Sequence, residues 1–320
     1  MEIIAGLLLV FFIGMSIVVN VLYRLAKRKK HRLLYVLPDL GMQDHGEEFR
    51  GNFRALLRHL EQSLSERYVE RVKERVIREH QISLTEWENR WFEWKRYLIM
   101  AALLKSVPMF SREVDEIWHE KLMFTREYED FCRRYLKTAL HHAPNKTDAP
   151  FNPQERAWFD LVYVLLFKPT RYSLQTWGPF LRHPLSREFL EEFKKEDEDR
   201  LAEKYFNTRA QNDLPGAGVL VRHLIQYIKK LLREVEHHAF RFGTDVDSFR
   251  KNAAFQPQNK DLALSMVKGV IFLSSYFPES FRQRYQELFG KDPGSEDELG
   301  CFAASGSDVE TADGKKEFLD

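Results

Sequence analysis

Apolar residues return every three or four positions along most of the chain, with Arg, Lys and Glu between them, as in amphipathic helices. The longest run of this kind predicts one helix from Glu47 to about Gln81. Its apolar positions are Phe49, Phe53, Leu56, Leu57, Leu60, Leu64, Tyr68, Val72 and Val76. We interpret it as a helix that packs on its own domain, with a coiled coil to a partner as the alternative.

Ser83 marks the clearest helix start in the chain. Glu86 follows three residues later, and Ile82 and Trp87 occupy the positions of a hydrophobic staple. The apolar face of this helix contains Trp87, Trp91, Trp94, Leu98 and Ala101. Such regular spacing favours core packing over stacking on bases or sugars.

Further helices are predicted over residues 111–144, 154–167, 185–206, 219–240 and 262–277. The last of these is strongly apolar, but it has only about 16 residues and contains Lys268, which favours a core helix over a membrane span. No stretch alternates with the period of two that is typical of strands. The sequence therefore predicts an all-α fold.

The segment from Ile3 to Tyr23 is uncharged and long enough to cross the roughly 30 Å of a bilayer core as a helix. A cleaved signal peptide is the first alternative, but the segment lacks a basic start and a small-residue cleavage site. A buried helix is the second alternative. We predict a single transmembrane helix over residues 3–23.

A cluster of basic residues follows this segment directly: Arg24, Lys27, Arg28, Lys29, Lys30 and Arg32. The positive-inside rule then predicts a single-pass protein of the cell membrane, with its N-terminus outside and its C-terminal domain in the cytoplasm. The same cluster is expected to attract anionic lipid head groups in general, and a specific lipid site is the alternative.

The remaining chain divides by composition. Residues 24–46 are predicted to be a basic juxtamembrane segment and linker, and residues 47–213 a helical domain. A turn at Leu214–Gly218 predicts a boundary, followed by a C-terminal helical subdomain over 214–292. Residues 293–320 are rich in Gly, Ser and Asp and predict a disordered tail.

The composition of the chain bears on its partners, its compartment and its class of fold. The formal net charge of +1 gives no reason to expect nucleic acid. The two cysteines, Cys132 and Cys301, are too few for a disulfide framework, which fits a reducing compartment. With 30% charged and 44% hydrophobic residues, the chain has the composition of a globular protein.

The run from Ser111 to Pro144 concentrates the residues with chemical potential: Asp115, Trp118, His119, Tyr128, Cys132, His141 and His142. Ser111 is suited to cap a helix. Asp115 and His119 are four residues apart, so the carboxylate can hold the imidazole. Carboxylates do this for histidines that bind metals or transfer protons.

A metal site is one hypothesis for this run, with the candidate ligands His119, Cys132, His141 and His142. On one straight helix, however, His119 and Cys132 lie roughly 220° and 20 Å apart. A site then requires the helix to break near the histidine pair, or to recruit His237 and His238. In the alternative, Trp118 and His119 are hydrogen-bonded core residues and Cys132 is a small buried apolar residue.

Catalytic motifs are weak. Cys132 lies in mid-helix, without the helix N-terminus that lowers the pKa of reactive thiols. The segment LPGAGVL lacks the lysine of a phosphate-binding loop and the third glycine of a dinucleotide fingerprint, so we predict no cofactor.

The run VDEIWHEKLMFTREYEDFC and the later LHHAP resemble a motif of bacterial proteins related to the plant glycine-rich-domain-containing family. The matching residues are Val114, Asp115, Trp118, His119, Thr125, Arg126, Tyr128, Phe131, Cys132, His141, His142 and Pro144. The chain departs from that family in lacking a glycine-rich segment and in its N-terminal anchor. The resemblance implies a recurring helical module and no particular chemistry.

We therefore expect a membrane-anchored cytosolic helical protein with a binding or scaffolding role rather than an enzyme. The alternative is a metal-binding protein or enzyme that uses Asp115, His119, His141 and His142. A third hypothesis is a lipid-surface sensor, which would use the basic cluster and the helix from Phe49 to Val76.

Overall fold

The structure is a computed structural model that describes residues 12, 14–16, 18–19, 33–138, 151–251 and 262–289. These residues are predominantly helical, and no sheet forms among them; two isolated antiparallel bridges join Met42 to Phe167 and Leu104 to Phe206. The prediction of an all-α fold is confirmed.

Fourteen α-helices lie within the described ranges. The first five are α1 (Glu47–Ser63), α2 (Glu66–His80), α3 (Leu84–Leu103), α4 (Arg112–Leu122) and α5 (Thr125–Tyr135). The next five are α6 (Pro153–Leu166), α7 (Arg171–Trp177), α8 (Arg187–Lys195), α9 (Glu198–Tyr205) and α10 (Thr208–Asp213). The last four are α11 (Ala217–Phe242), α12 (Val246–Lys251), α13 (Leu262–Tyr276) and α14 (Phe281–Phe289).

Helix starts follow the predicted caps. The hydroxyl of Ser83 accepts from the backbone N–H of Glu86, and that of Ser111 accepts from Val114. The predicted single helix over 47–81 is wrong, because the chain breaks between α1 and α2. Leu64 is extended there, and Ser65 caps α2 by accepting from the N–H of Tyr68. A serine cap starts a new helix while the apolar spacing continues across the break.

The longest helix, α11, packs against α1, α8, α9, α10 and α13. It confirms the helix predicted over 219–240. The apolar segment of α13 is also a core helix, as predicted, since Val267, Ile271 and Phe272 are fully buried. Lys268 on this helix forms a 2.6 Å ion pair with Glu234 of α11.

Buried side chains on both sides of Leu214 belong to one continuous hydrophobic cluster. The boundary at this position stays a prediction. The segment before α1, which is part of the juxtamembrane segment and linker predicted over residues 24–46, contains a short 3-10 helix at Pro38–Gly41. Leu40 and Gln43 are buried in the domain, so this part of the predicted linker belongs to the core.

Most of the predicted transmembrane segment 3–23 lies outside the described residues. The described members are Phe12, Gly14, Met15, Ser16, Val18 and Val19, and all of them are helical and exposed. The basic cluster, the histidine pair 141–142 and the predicted tail 293–320 also lie outside. Within the described ranges, no helix is both long and apolar enough to cross a bilayer.

Candidate functional site

The described part of the predicted motif, Asp115 to Cys132, is divided between two helices, α4 and α5, so the single helix predicted over 111–144 is wrong. The chain turns at Met123 and Phe124, and the backbone angles of Phe124 (φ −105°, ψ 62°) are not helical. The straight-helix geometry assumed for His119 and Cys132 is therefore wrong. The turn lets the indole N–H of Trp118 donate to the hydroxyl of Tyr128 at 2.8 Å, in the buried space between the two helices.

The residues of the motif differ in exposure. Trp118, Tyr128 and Cys132 are buried, as expected of core residues. His119 is not a core residue, since its side chain is 52% exposed. Its Nε2 lies 3.9 Å from Oδ2 of Asp115, which is ion-pair range and too long for a hydrogen bond.

Cys132 packs beside Tyr128 in α5. Burial holds the pKa of the Tyr128 hydroxyl above its usual value, and the neighbouring thiol adds to this shift. Among the residues that the structure describes, no group of three His, Cys, Asp or Glu side chains could hold a metal ion. His141 and His142, the other two candidate ligands, lie outside those residues.

A buried lysine within the motif was missed by sequence reasoning. Lys121 of α4 is completely buried, and its Nζ has no hydrogen-bond partner in the described part of the chain. Four aromatic rings surround it, with centroids 4.2 to 5.4 Å from Nζ: Phe131, Tyr68, Trp91 and Trp94. Desolvation lowers the pKa of this amine to about 7, while the nearby Cys132 opposes the shift.

The sequence contained a signal for this lysine. Val114, Ile117 and Lys121 follow one another at three- and four-residue steps, so Lys121 continues the apolar face of α4. The backbone of the lysine is also tied down, because its carbonyl accepts a 3.1 Å hydrogen bond from the hydroxyl of Tyr68. When the amine is charged, its contacts with the faces of the aromatic rings take the place of the hydrogen bonds that a buried ammonium group otherwise needs.

A second buried polar cluster lies at the centre of α3. The carboxylate of Glu93 accepts from the hydroxyl of Tyr163 (2.5 Å), the indole of Trp177 (2.8 Å) and the hydroxyl of Ser173 (2.7 Å). Arg96, one turn away, lies 3.3 Å from the same carboxylate. Glu93 and Arg96 are fully buried, and together with their partners they join α3, α6 and α7.

The guanidinium of Arg96 extends this cluster to the backbone. It donates to the carbonyls of Leu40 and Lys168, both at 2.9 Å. The arginine is thereby satisfied inside the core, as buried charges require. The signal in the sequence was a second stripe on α3, formed by Glu86, Asn89, Glu93 and Arg96.

A chain of ion pairs covers the polar side of α4. Arg90 contacts Glu86 at 2.9 Å and Glu116 at 2.6 Å. His80 of α2 lies 3.3 Å from both Glu116 and Glu120. These contacts fix α4 against α2 and α3 and leave His119 on its outer face.

Comparison with known proteins relates the central part of the chain to a family. A family described as UCP032817-like matches residues 57–158, which include α2 to α5 with Lys121, Glu93 and Arg96, while the partners of Glu93 on α6 and α7 lie outside the match. The match covers less than half of the chain, so it defines a similarity over these helices. No curated protein and no solved structure matches the chain. The resemblance to the plant glycine-rich-domain family is not tested by these comparisons and stays a prediction.

Proposed function

We propose that this protein is a membrane-anchored helical module that binds or scaffolds partners on the cytoplasmic side of the cell membrane. The proposed anchor is the segment 3–23, and the basic residues after it favour an N-terminus outside and a C-terminus inside. Anionic head groups near Arg24 to Arg32 and a protein partner are the expected contacts.

The hydrogen bond between Trp118 and Tyr128 is the observation that favours a binding module over an enzyme, because it gives the motif a structural role. It places the central aromatic residues of the motif in the packing between α4 and α5, where they stabilise the arrangement of the helices. Cys132 and Lys121 lie in the same packed region. The motif then acts as a rigid frame for the outer surfaces of α4 and α5.

The location and orientation are tested with the full chain in bacterial cells. A C-terminal reporter that is active only in the cytoplasm should be active, and the protein should stay in membranes after extraction with alkaline carbonate. A variant without residues 3–23 is the matched control and should be released. Inactivity of the reporter, or a protein whose N-terminal segment has been removed, would contradict the proposal.

A second candidate is a metal-binding protein or enzyme that uses Asp115, His119, His141 and His142. The contact between Asp115 and the exposed His119 favours it. Elemental analysis of the purified full chain decides between the two. This candidate requires stoichiometric metal that is lost in His119→Ala and retained in His183→Ala, a control on a half-buried histidine outside the motif.

A further inference from the structure

The chain enters the folded domain through a clamp on α3. The side chain of Asn89 is buried, and both ends of its amide hold the backbone of the entering segment. Its Oδ1 accepts from the N–H of Tyr35, and its Nδ2 donates to the carbonyl of Leu33, both at 2.8 Å. An asparagine bound on both sides to one segment fixes the position of that segment.

Contacts farther along continue this attachment. The ring of Tyr35 stacks on that of Tyr172, with centroids 6.4 Å apart. Arg96 holds the carbonyl of Leu40, and the N–H of Lys168 donates to the carbonyl of Gly41 at 2.7 Å. The segment is thus bound to α3, and to residues around α6 and α7, at several successive positions.

The clamped segment exposes apolar side chains instead of burying them. Leu33 and Leu34 are 58% and 60% exposed, and Val36 is also exposed. Leu84, the first residue of α3, is 55% exposed and precedes Asn89 by five residues, about 7.5 Å along the helix axis. We call the three exposed residues of the clamped segment, Leu33, Leu34 and Val36, the apolar edge, and we use Leu84, at the start of the clamping helix, as a reporter position.

The short stretch of chain between the proposed membrane span and the apolar edge indicates which surface lies next to that edge. The proposed membrane span ends at Tyr23, ten residues before Leu33. Even fully extended, ten residues reach only about 35 Å. The intervening residues include the basic cluster, which is attracted to anionic head groups. The clamp therefore keeps the exposed leucines within reach of the bilayer surface.

We infer that the apolar edge docks on the cytoplasmic surface of the membrane and places its leucine side chains at the boundary between head groups and acyl chains. This inference rests on the proposed membrane anchor. Apolar side chains next to basic residues are the combination by which peripheral segments bind anionic bilayers. The docking sets the orientation of the domain, because Asn89 joins the edge rigidly to α3.

The test uses the full chain in nanodiscs of phosphatidylcholine with phosphatidylglycerol. A fluorophore is attached to Leu84→Cys in a Cys301→Ser background, in which the buried Cys132 is retained. Met123→Cys is the matched control, since Met123 is also an exposed apolar residue but lies in the turn between α4 and α5. Lipids brominated near the head group should quench the label at Leu84 and leave that at Met123 unquenched.

Two variants test the role of the clamp. Replacement of Leu33, Leu34 and Val36 by serine should abolish quenching at Leu84, while the protein stays in the nanodisc. Asn89→Ala should have the same effect; its circular dichroism melting curve shows whether it remains folded, and the serine variant serves alone if it does not.

The outcomes separate the two proposals. A chain that does not enter the nanodisc contradicts the proposed anchor. A chain that enters the nanodisc with an unquenched label at Leu84 overturns the docking and leaves the anchor intact. Energy transfer between differently labelled copies that persists in detergent, without lipid quenching, shows that a second copy covers the edge and also overturns the inference.

Discussion

At the scale of single residues, the core holds its charged groups in two different ways. Glu93 and Arg96 are surrounded by donors and acceptors and stay satisfied away from water. Lys121 is surrounded by aromatic rings and lacks a hydrogen-bond partner among the described residues. Loss of a partner is costly for the first pair, whereas loss of the charge itself favours the fold at Lys121.

We expect Lys121→Met to raise the free energy of unfolding by about 1–3 kcal/mol at neutral pH, because it removes a buried amine without a partner. The change should also alter the pH dependence. The pKa of Lys121 is about 7 in the folded protein and 10.5 in a free lysine. Between these values the unfolded state binds the proton and the folded state does not, so stability rises with pH.

The slope due to one such group is at most about 1.4 kcal/mol per pH unit. Urea denaturation from pH 7 to pH 9 measures it, and the difference between wild type and variant isolates Lys121 from other titrating groups. Lys137→Met, at an exposed lysine after α5, is the control. Equal slopes in wild type and Lys121→Met would show that the buried amine keeps its proton in this range.

We expect Glu93→Gln to lower the free energy of unfolding by about 3 kcal/mol, because it leaves Arg96 as a buried charge without its counter-charge. The glutamine amide also places an NH₂ donor where one carboxylate oxygen of Glu93 accepts a hydrogen bond, either from the hydroxyl of Tyr163 or from that of Ser173. Glu129→Gln, at an exposed position of α5, should change stability by less than about 0.5 kcal/mol. Equal urea midpoints for the two variants would contradict the structural role of Glu93.

At the scale of helices, sequence periodicity predicted the faces better than the ends. The caps at Ser83 and Ser111 and the buried faces of α11 and α13 were predicted, because each depends on local spacing. The breaks at Ser65 and Phe124 were not, because the apolar stripe continues across both. A break costs local hydrogen bonds that only the packing of the two halves can offset.

For the candidate site, too, the sequence predicted the features that depend on local spacing and missed the contacts between distant helices. Burial of Trp118 and Cys132 followed from their helical spacing, and so did the proximity of Asp115 and His119. The cage around Lys121 was not predictable, since its rings come from α2, α3 and α5. The partners of Glu93 likewise come from α6 and α7. Contacts between distant parts of the chain leave no local pattern in a single sequence.

The hydrogen bond between Trp118 and Tyr128 joins α4 to α5, so we expect Tyr128→Phe to cost about 1–3 kcal/mol. The variant keeps the ring but deprives the buried indole N–H of this acceptor. Thermal denaturation followed by circular dichroism measures the loss. Tyr276→Phe, whose ring is only half-buried on α13, is the control, and an equal loss in both variants would show that the hydroxyl of Tyr128 contributes nothing specific.

At the scale of the whole molecule, two histidines connect the N-terminal segment to the central helix. Nε2 of His45 lies 2.7 Å from the carbonyl of Leu165, and its ring is centred 5.2 Å from that of His223 on α11. Burial lowers the pKa of both side chains. The nearby Asp44 and Glu48 oppose this effect, and Lys230 adds to it at His45.

The unfolded chain therefore takes up protons near pH 6.5, where these two histidines are still neutral in the folded state. The free energy of unfolding should fall as the pH drops below 6.5. We expect His223→Phe to make this dependence shallower, because it removes one of the two groups and keeps a ring in place. Gln226→Phe, at an exposed position of α11 without a titrating group, is the control, and urea midpoints from pH 7 to pH 5 compare the three proteins.

The attachment of residues 33–46 also determines how the molecule would bear a mechanical load. Tension from an anchor at the N-terminus would reach the bonds of Asn89 first, then that of Arg96 to Leu40, and those around Gly41 and Gln43 afterwards. Bonds loaded one after another rupture at lower force than bonds loaded together. A pull would therefore peel this segment from α3 in steps and separate the guanidinium of Arg96 from the carbonyl of Leu40 while α11 is still folded.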